Sequence, residues 1–370
     1  MTTPAGRPDD VLRHGVEGRL YAGVAARVVR GGEVVHEAVL GDAFHDGDRR
    51  EPLRQSALFD IASCTKAVAT TAAVMALVTR GELSVDDALR RYLPSSDARV
   101  TLRHLLTHRA GLVEWQPLYL GSGSRDEAVA LAADLPLRYP VGDGRHYSDH
   151  GLILTGAVVE RVMGMRLDEA VAELVTAPLE MTSTRYGPVP PEQAVAYGHG
   201  DDIEQAMLRD GEPYPVTLER THTVEFRDGW VRGEVSDGNA FHAMRGISGH
   251  AGLFSTLDDL TRFGTALLEE SAVWSRPVLD SFLQPGPDEQ ALGFWWLPAA
   301  GGPAYGHPGF TGARFLVDPA ARSVAVLLSN RLHVMAPGQR VPPDIGPMWL
   351  DYLAATGFLG AHGPSAVRTG

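Results

Sequence analysis

Lysine is almost absent from this 370-residue chain: of its 33 lysine and arginine residues, only Lys66 is a lysine. Acidic residues number 46, and the formal net charge is −13 at neutral pH. The sequence has no run of basic residues suited to a phosphate backbone, so nucleic acid is not an expected partner. The shortage also makes the position of the one lysine informative.

Cysteine and long hydrophobic segments are equally scarce. Cys64 is the only cysteine, which excludes an internal disulfide and agrees with a reducing compartment. No stretch offers about 18 consecutive apolar residues, and the first part of the chain lacks a basic start followed by an apolar core. We therefore expect a cytoplasmic protein with no membrane partner. Hydrophobic residues at 44% and charged residues at 21% are typical of a folded globular chain.

The order of apolar patterns predicts the secondary structure. Strand patterns lie near both ends of the chain, and helical patterns lie between them. Gly31 and Gly32 separate the first two strands, which is a hairpin signal. The predicted strand pairs are 20–30 with 33–40 and 313–319 with 323–330, and the predicted helices are 64–81, 101–112, 150–164, 167–181, 256–271 and 348–358.

These patterns predict one domain of the α/β (α+β) class. An antiparallel sheet built from both termini and flanked by helices would carry an inserted, mostly helical lobe. We place the α/β lobe at about 1–90 and 246–370, and the helical and loop lobe at about 91–245. Within that second lobe, residues 183–245 predict loops with short strands.

Ser63 and Lys66 stand three residues apart at the start of the first apolar helix, in the stretch IASCTKA. Residues at i and i+3 share a helix face. A serine hydroxyl is a poor nucleophile until a base removes its proton, and an arginine, which stays charged, cannot do so. A lysine can when burial lowers its pKa. On this motif alone, a helix cap beside a surface charge explains the pair equally well, and Cys64 is more simply a packing residue than a reactive thiol.

Two later stretches join the serine and lysine. Tyr147-Ser148-Asp149 precedes a predicted helix, and HPGFTG (307–312) precedes the last pair of strands. Ser-x-x-Lys, Tyr-x-Asn and Lys/His-x-Gly in this order are typical of the penicillin-recognising serine enzymes. The sequence resembles that superfamily from about residue 20 to 335, and most closely its class C β-lactamase-like branch, which includes the family VIII esterases. The resemblance implies a β-lactamase/transpeptidase-like fold and no cofactor.

The resemblance also implies roles for individual residues. Ser63 would be the acylated nucleophile, Lys66 its general base or electrostatic partner, and Tyr147 the relay of the proton towards the leaving group. The oxyanion hole would come from the backbone N–H groups of Ser63 and Phe310. Gly309 would allow the substrate to approach the backbone closely.

Two departures from the family pattern bear on the substrate. Asp149 stands where asparagine is commoner, so a group that only accepts hydrogen bonds replaces an amide, and it can hold Lys66 in the charged form. His307 stands where a lysine commonly anchors the carboxylate of β-lactams, and Pro308 removes a hydroxyl. Both changes favour esters or uncharged amides over β-lactams.

Further residues are candidates for the wall of the substrate pocket. His250, together with Asp237 and Asn239 in the SDGNA stretch, resembles a loop found in part of this branch. Aromatic residues also suit an acyl or alcohol pocket, although core packing explains them equally well. These aromatic candidates are Trp115, Trp295, Trp296 and Tyr305.

The sequence thus predicts a serine hydrolase that acts on an ester, or an amide, of a small-molecule substrate through an acyl-serine. The alternatives are an acyltransferase or peptide-processing enzyme, a weak β-lactamase or D-amino-acid peptidase, and a catalytically inactive binding protein. No metal site is predicted: His104 and His108 are spaced i, i+4, but no third ligand accompanies them, so we expect structural roles for both. No pattern indicates an oligomeric state.

Overall fold

The computed structural model describes residues 6–360. The strands are β1 (Gly23–Arg30), β2 (Glu33–His45), β3 (Arg50–Pro52), β4 (Phe59–Asp60), β5 (Arg185–Tyr186), β6 (Ala196–His199), β7 (Trp230–Arg232), β8 (Leu253–Ser255), β9 (Trp295–Pro298), β10 (Pro303–Pro308), β11 (Arg314–Asp318) and β12 (Ser323–Ser329). The α-helices are α1 (Pro8–Glu17), α2 (Ala72–Thr79), α3 (Leu102–Leu106), α4 (Arg125–Asp134), α5 (Asp149–Met163), α6 (Leu167–Val171), α7 (Asp202–Asp210), α8 (Leu257–Ala266), α9 (Arg276–Phe282) and α10 (Gly346–Ala355). Short π-helical segments occupy Lys66–Thr71, Ala172–Thr176 and Asn239–Ala243.

Seven strands form one antiparallel sheet in the order β3-β2-β1-β12-β11-β10-β9. The early strand β1 therefore pairs with β12 from the far end of the chain, with Arg27 opposite Val326. Gly31 and Gly32 both adopt positive φ angles at the β1–β2 turn, because a tight hairpin needs left-handed residues there. The predicted antiparallel sheet from both ends of the chain is confirmed.

Helices cover both faces of this sheet. All residues of β12 are buried, and successive side chains face opposite layers. Leu327 packs in a cluster with residues of α1 and α10, whereas Val326 lies in the larger core with α2 and α8. The apolar helix α2 is buried on every side, as its sequence predicts. None of the helices within residues 6–360 combines the length and the apolar surface that a bilayer crossing requires.

A small second sheet, ordered β4-β8-β5, positions the segment that carries Ser63. β4 ends at Asp60, and the next N–H, that of Ile61, donates to the Leu253 carbonyl at 3.0 Å. β10 of the large sheet ends at Pro308. The fold thus brings the segment before Ser63 close to the segment after β10.

Some helix boundaries differ from the predicted ones. The helix predicted over 101–112 ends at Leu106, because His108 and Gly111 take positive φ angles of 55° and 78°. The loop region predicted over 183–245 also contains the helix α7, which Gly211 ends in a left-handed conformation. The helices predicted over 167–181 and 256–271 end at Thr176 and Ala266.

Candidate active site

Ser63 lies in the turn between β4 and the helix that follows. The preceding residue, Ala62, has a φ of 45°, a left-handed conformation that costs free energy in an alanine. The buried carboxylate of Asp60 supports this turn by accepting a hydrogen bond from the Ala62 N–H at 2.8 Å. The Lys66 N–H then donates to the Ser63 carbonyl at 3.0 Å. The serine and lysine side chains therefore start from one helical turn and share a face.

The ammonium of Lys66 is fully buried and has three partners. Nζ donates to Ser63 Oγ at 2.8 Å and to the backbone carbonyl of His250 at 3.2 Å. It also lies 2.8 Å from Oδ1 of Asp149. An ammonium carries three protons, so these contacts satisfy it completely.

Asp149 keeps this lysine in its charged form. Burial lowers the pKa of Lys66, but the charge of Asp149 and the oxygen of Tyr147 outweigh burial, and the pKa lies above its ordinary value. Burial in turn raises the pKa of Asp149, yet the charges of Lys66 and His250 bring it below the ordinary value. In the resting protein, Lys66 therefore donates a hydrogen bond to the serine and does not accept its proton.

Tyr147 precedes α5 and places its ring against the same ammonium. Lys66 Nζ lies 5.1 Å from the ring centroid. Burial raises the pKa of the Tyr147 hydroxyl, although the positive charge of Lys66 opposes this shift. The ring centroid lies 4.5 Å from that of His108 and 5.9 Å from that of Trp295. Packing therefore fixes the direction of the phenol.

His108 positions Tyr147, a role that the sequence did not reveal. Its Nδ1 accepts a hydrogen bond from the N–H of Ser148, the residue that follows Tyr147, at 3.1 Å. Burial holds the pKa of His108 well below its ordinary value, so the ring is a neutral acceptor. His104 lies apart on α3, where its Nδ1 accepts from the Thr101 N–H at 3.2 Å. These contacts agree with structural roles for both histidines.

His307 lies on β10 with its ring centroid 6.1 Å from that of Tyr147. Its Nδ1 is 2.7 Å from the Pro308 carbonyl, so Nδ1 carries the proton and Nε2 is left as an acceptor. Burial lowers the pKa of His307 to about 3, and the charge of Lys66 acts in the same direction. Within residues 6–360, Nε2 has no hydrogen-bond partner. A neutral histidine here cannot attract a substrate carboxylate by charge.

Gly309 and Phe310 follow β10 and lie beside the Ser63 turn. A Cβ on Gly309 would stand 2.4 Å from the Ile61 carbonyl oxygen, so only glycine permits this approach. Ser63 and Phe310 line the same cavity. Among the described residues, no acceptor takes a hydrogen bond from either backbone N–H. Two free N–H groups at one cavity are what a developing oxyanion needs.

His250, which is buried, and Asp237, which is partly exposed, form a second pair behind Lys66. His250 Nε2 lies 2.9 Å from Asp237 Oδ1, and its Nδ1 lies 2.7 Å from Ser248 Oγ. Burial raises the pKa of Asp237, but the charge and hydrogen bond of His250 bring it down to about 2. His250 contacts the lysine through its backbone carbonyl, whereas Asp237 lines the cavity. Of this loop, Asp237 rather than His250 is therefore the wall residue.

The ligating atoms of Asp149, Asp237 and His250 lie within 4.8 Å of one another, a spacing that a metal ion can bridge. Lys66 already neutralises Asp149, and His250 already binds Asp237. Both carboxylates of this cluster are thus already engaged by the protein's own side chains.

The four aromatic candidates and Asn239 occupy different environments. Trp115 lines the cavity, as expected of a pocket residue. The Arg145 guanidinium lies 4.3 Å from the centroid of the Trp295 ring, and Trp295 reaches the site through its contacts with the rings of Tyr147 and His307. Asn239 is fully buried and ties the chain to residues 116–118. Trp296 and Tyr305 pack in or against the core.

Ser63 opens into a cavity of about 720 Å³, a size that suits a small molecule. Tyr147, Asp149, Phe310 and Trp115 line it near the serine's own turn. The rest of the wall comes from residues 198–204, which run from β6 through a turn into α7, from residues 212–214, and from several residues between 332 and 342.

One class of serine enzymes works through an acyl-enzyme and combines an antiparallel sheet with a serine, a buried lysine and a tyrosine at one cavity. The fold and site of this chain place it in that class. The chain belongs to the β-lactamase family, whose family model matches residues 8–345. These two findings confirm the predicted family, its fold and its serine-hydrolase class.

Known proteins resemble the chain over most of its length. An N-acetylmuramyl-L-alanine amidase of Bacillus subtilis (strain 168) is 28% identical over 356 residues, which cover 85% of this chain and 78% of the amidase. Among solved structures, EstCE1, a hydrolase with promiscuous acyltransferase activity, superposes with a TM-score of 0.72 at 21% identity, covering 95% of this chain and 97% of EstCE1. A penicillin-binding protein from Bacillus halodurans gives 0.68 at 20% identity, covering 93% and 98%. The two structures share the fold.

Proposed function

We propose that this protein hydrolyses carboxylic esters of small molecules through an acyl-Ser63 intermediate. The observation that carries the proposal is the 2.8 Å hydrogen bond between Ser63 Oγ and the fully buried ammonium of Lys66. Burying an ammonium costs free energy unless its charge is paired or serves a function. The ammonium of Lys66 points at the hydroxyl of Ser63, which opens into the cavity.

The charged state of Lys66 determines how the serine loses its proton. As Ser63 Oγ bonds to the carbonyl carbon, its proton passes to Lys66, and Lys66 passes a proton to Asp149. The resulting oxyanion accepts hydrogen bonds from the N–H groups of Ser63 and Phe310. Tyr147 then gives its proton to the departing alkoxide and is reprotonated by Lys66, which regains a proton from Asp149.

Water completes the cycle by the same route in reverse. It attacks the acyl carbonyl, its proton leaves through Tyr147 and Lys66, and Ser63 Oγ is released as a hydroxyl. All side chains thereby return to their starting protonation states.

Esters suit this site better than β-lactams. His307 is neutral, so the cation that would hold a β-lactam carboxylate is missing at that position. The resemblance to the amidase makes amide hydrolysis the second candidate. A cytoplasmic location, expected from composition, is part of the proposal, and cell fractionation tests it.

Pre-steady-state hydrolysis of p-nitrophenyl butyrate tests the function. We expect release of p-nitrophenol by the wild type and a loss of about a thousandfold or more in Ser63→Ala. Ser56→Ala, the same change at an exposed serine outside the cavity, should behave as the wild type. Added alcohols that divert the acyl group into new esters would show acyl transfer. Undiminished turnover by Ser63→Ala would contradict the proposal.

A further inference from the structure

Asp60 lies behind the wall of the active-site cavity, at the end of β4. Its side chain is fully buried. Among the described residues, its carboxylate oxygens bind backbone N–H groups, and no cation forms an ion pair with them. A buried charge that no cation neutralises costs free energy, which a functional role can explain.

The carboxylate of Asp60 joins two segments that are far apart in sequence. Oδ1 accepts a hydrogen bond from the N–H of Ala62 at 2.8 Å, and Oδ2 accepts one from the N–H of Ser236 at 2.7 Å. Ala62 directly precedes the proposed nucleophile, Ser63. Ser236 directly precedes Asp237, and both residues line the cavity. The two oxygens of one side chain therefore hold two separate parts of the cavity wall.

The backbone carbonyl of Asp60 holds two further segments. It accepts a hydrogen bond from Thr311 Oγ1 at 2.7 Å and another from the hydroxyl of Tyr197 at 3.1 Å. Thr311 directly follows Phe310, the second residue of the proposed oxyanion hole. Tyr197 directly precedes Gly198, which lines the cavity. Asp60 thus contacts four segments of the chain that meet at the cavity.

An ionised aspartate satisfies both N–H groups at this position, and an asparagine does not. Both oxygens of a carboxylate accept hydrogen bonds, whereas an asparagine of the same size carries one oxygen and one NH2 group. In Asp60→Asn, the amide oxygen could accept from Ala62 or from Ser236, and the NH2 group would face the other N–H. The two donors therefore explain why a charged residue is buried here.

The turn before Ser63 depends on such support. Ala62 has a φ of 45°, a left-handed conformation that costs free energy in an alanine. Without the hydrogen bond to Asp60, the backbone at Ala62 can relax towards a more favourable conformation. That relaxation would turn the Ser63 side chain and lengthen its hydrogen bond to Lys66 Nζ, which is 2.8 Å.

We propose that Asp60 is a positioning residue for the reaction at Ser63. It fixes the turn of the nucleophile relative to the segments that carry Asp237 and the N–H of Phe310. It acts through the backbone, because it is fully buried and does not line the cavity. Loss of Asp60 should therefore slow the chemical step more than it weakens substrate binding. This inference rests on the proposed function, because it takes Ser63 as the nucleophile.

Asp60→Asn and a matched variant, Asp318→Asn, test the proposal together. Asp318 is also fully buried, and its carboxylate accepts hydrogen bonds from the N–H groups of Gly301 and Ala321 at 2.8 and 2.9 Å, but it lies outside the cavity. With p-nitrophenyl butyrate, we expect Asp60→Asn to lower kcat by about a hundredfold with little change in KM. Asp318→Asn should lower the melting temperature and keep the wild-type kcat. Equal kcat values for the two variants would overturn the proposal.

Thr311→Val provides a second test if Asp60→Asn does not fold. Valine keeps the shape of threonine but removes the donor to the Asp60 carbonyl, which retains its hydrogen bond from Tyr197. We expect kcat to fall by about tenfold. Thr155→Val removes an equally buried donor, to the Gly151 carbonyl within α5, and should leave kcat unaltered. Wild-type kcat in Thr311→Val would contradict the proposal.

Crystal structures of the variants separate this inference from the proposed function. In Asp60→Asn, or in Thr311→Val if that variant alone folds, we expect the distance from Ser63 Oγ to Lys66 Nζ to exceed the 2.8 Å of the wild type. In Asp318→Asn this distance should be unchanged. A displaced Ser63 turn would support the positioning role even if ester hydrolysis proves not to be the reaction. A turn that keeps its wild-type geometry would overturn that role whatever the substrate.

Discussion

The carboxylate of Asp149 lies 2.8 Å from the ammonium of Lys66, the only lysine in the chain. This contact sets the protonation state of the site, since it raises the pKa of Lys66 against the effect of burial. In the resting protein, the Ser63 hydroxyl therefore faces a hydrogen-bond donor. Removal of the Ser63 proton must therefore involve the Lys66–Asp149 ion pair and not a neutral lysine amine.

Asp149→Asn should change the pH dependence of the reaction. Without the carboxylate, burial lowers the pKa of Lys66, and the amine must itself be neutral before it accepts the serine proton. The wild-type kcat/KM should stay flat below neutral pH, because the pKa of Asp149 lies below its ordinary value. The variant should instead lose about tenfold per pH unit below the new pKa of Lys66. If the wild type and Asp149→Asn gave pH profiles of kcat/KM with the same shape for an uncharged ester, the proton route through Asp149 would be excluded.

Lys66→Arg should abolish acylation while retaining the positive charge. A guanidinium does not release or accept a proton at neutral pH, so we expect kcat/KM to fall by about a thousandfold. Arg99→Lys, the converse exchange at an exposed residue, serves as the control and should leave activity unaltered. Substantial ester hydrolysis by Lys66→Arg would show that the lysine acts only by charge.

Tyr147→Phe should slow the chemical step without loosening the site. The phenyl ring keeps the contacts with His108 and Trp295, so the melting temperature should stay close to that of the wild type. Loss of the proton relay should lower kcat by about a hundredfold or more, with little change in KM. A shift in KM alone would indicate that Tyr147 only shapes the pocket.

Glu204→Gln should stabilise the protein at alkaline pH. Burial raises the pKa of Glu204 from 4.5 to about 8, and the charges of Asp237 and Asp201 act in the same direction. Between these two pH values the unfolded chain has lost the proton that the folded protein still holds, so folded-state stability falls as pH rises. The variant should therefore melt about 2 °C or more above the wild type at pH 9. Near pH 4 the difference should vanish, and equal melting temperatures at pH 9 would contradict a raised pKa of Glu204 in the folded protein.

Local rules were sufficient to predict the sheet and several helices. Gly31 and Gly32 mark the first hairpin, and Gly164 ends α5 with a φ of 67°, where the sequence predicted its end. The short helix α3 was predicted too long, because the left-handed turn at His108 depends on its contact with Ser148, which is distant in sequence. The division into lobes near residues 90 and 245 stays a prediction.

Only the site residues that stand in sequence motifs could be predicted. Ser63, Lys66, Tyr147 and Asp149 stand in recognisable patterns. The fold brings Ser63 and Asp149 each to 2.8 Å from Nζ of Lys66, and the centroid of the Tyr147 ring to 5.1 Å from it. Glu204 lies in a stretch predicted to be irregular and has no motif. Its place in the cavity depends on α7 and on Gly238, which only tertiary structure relates.

Covalent labelling with a fluorophosphonate, followed by intact mass and peptide mapping, tests the central claim most directly. The account predicts one adduct per chain, located on Ser63 and absent in Lys66→Arg. A stoichiometric adduct on another residue, or continued ester hydrolysis with Ser63 unlabelled, would contradict it.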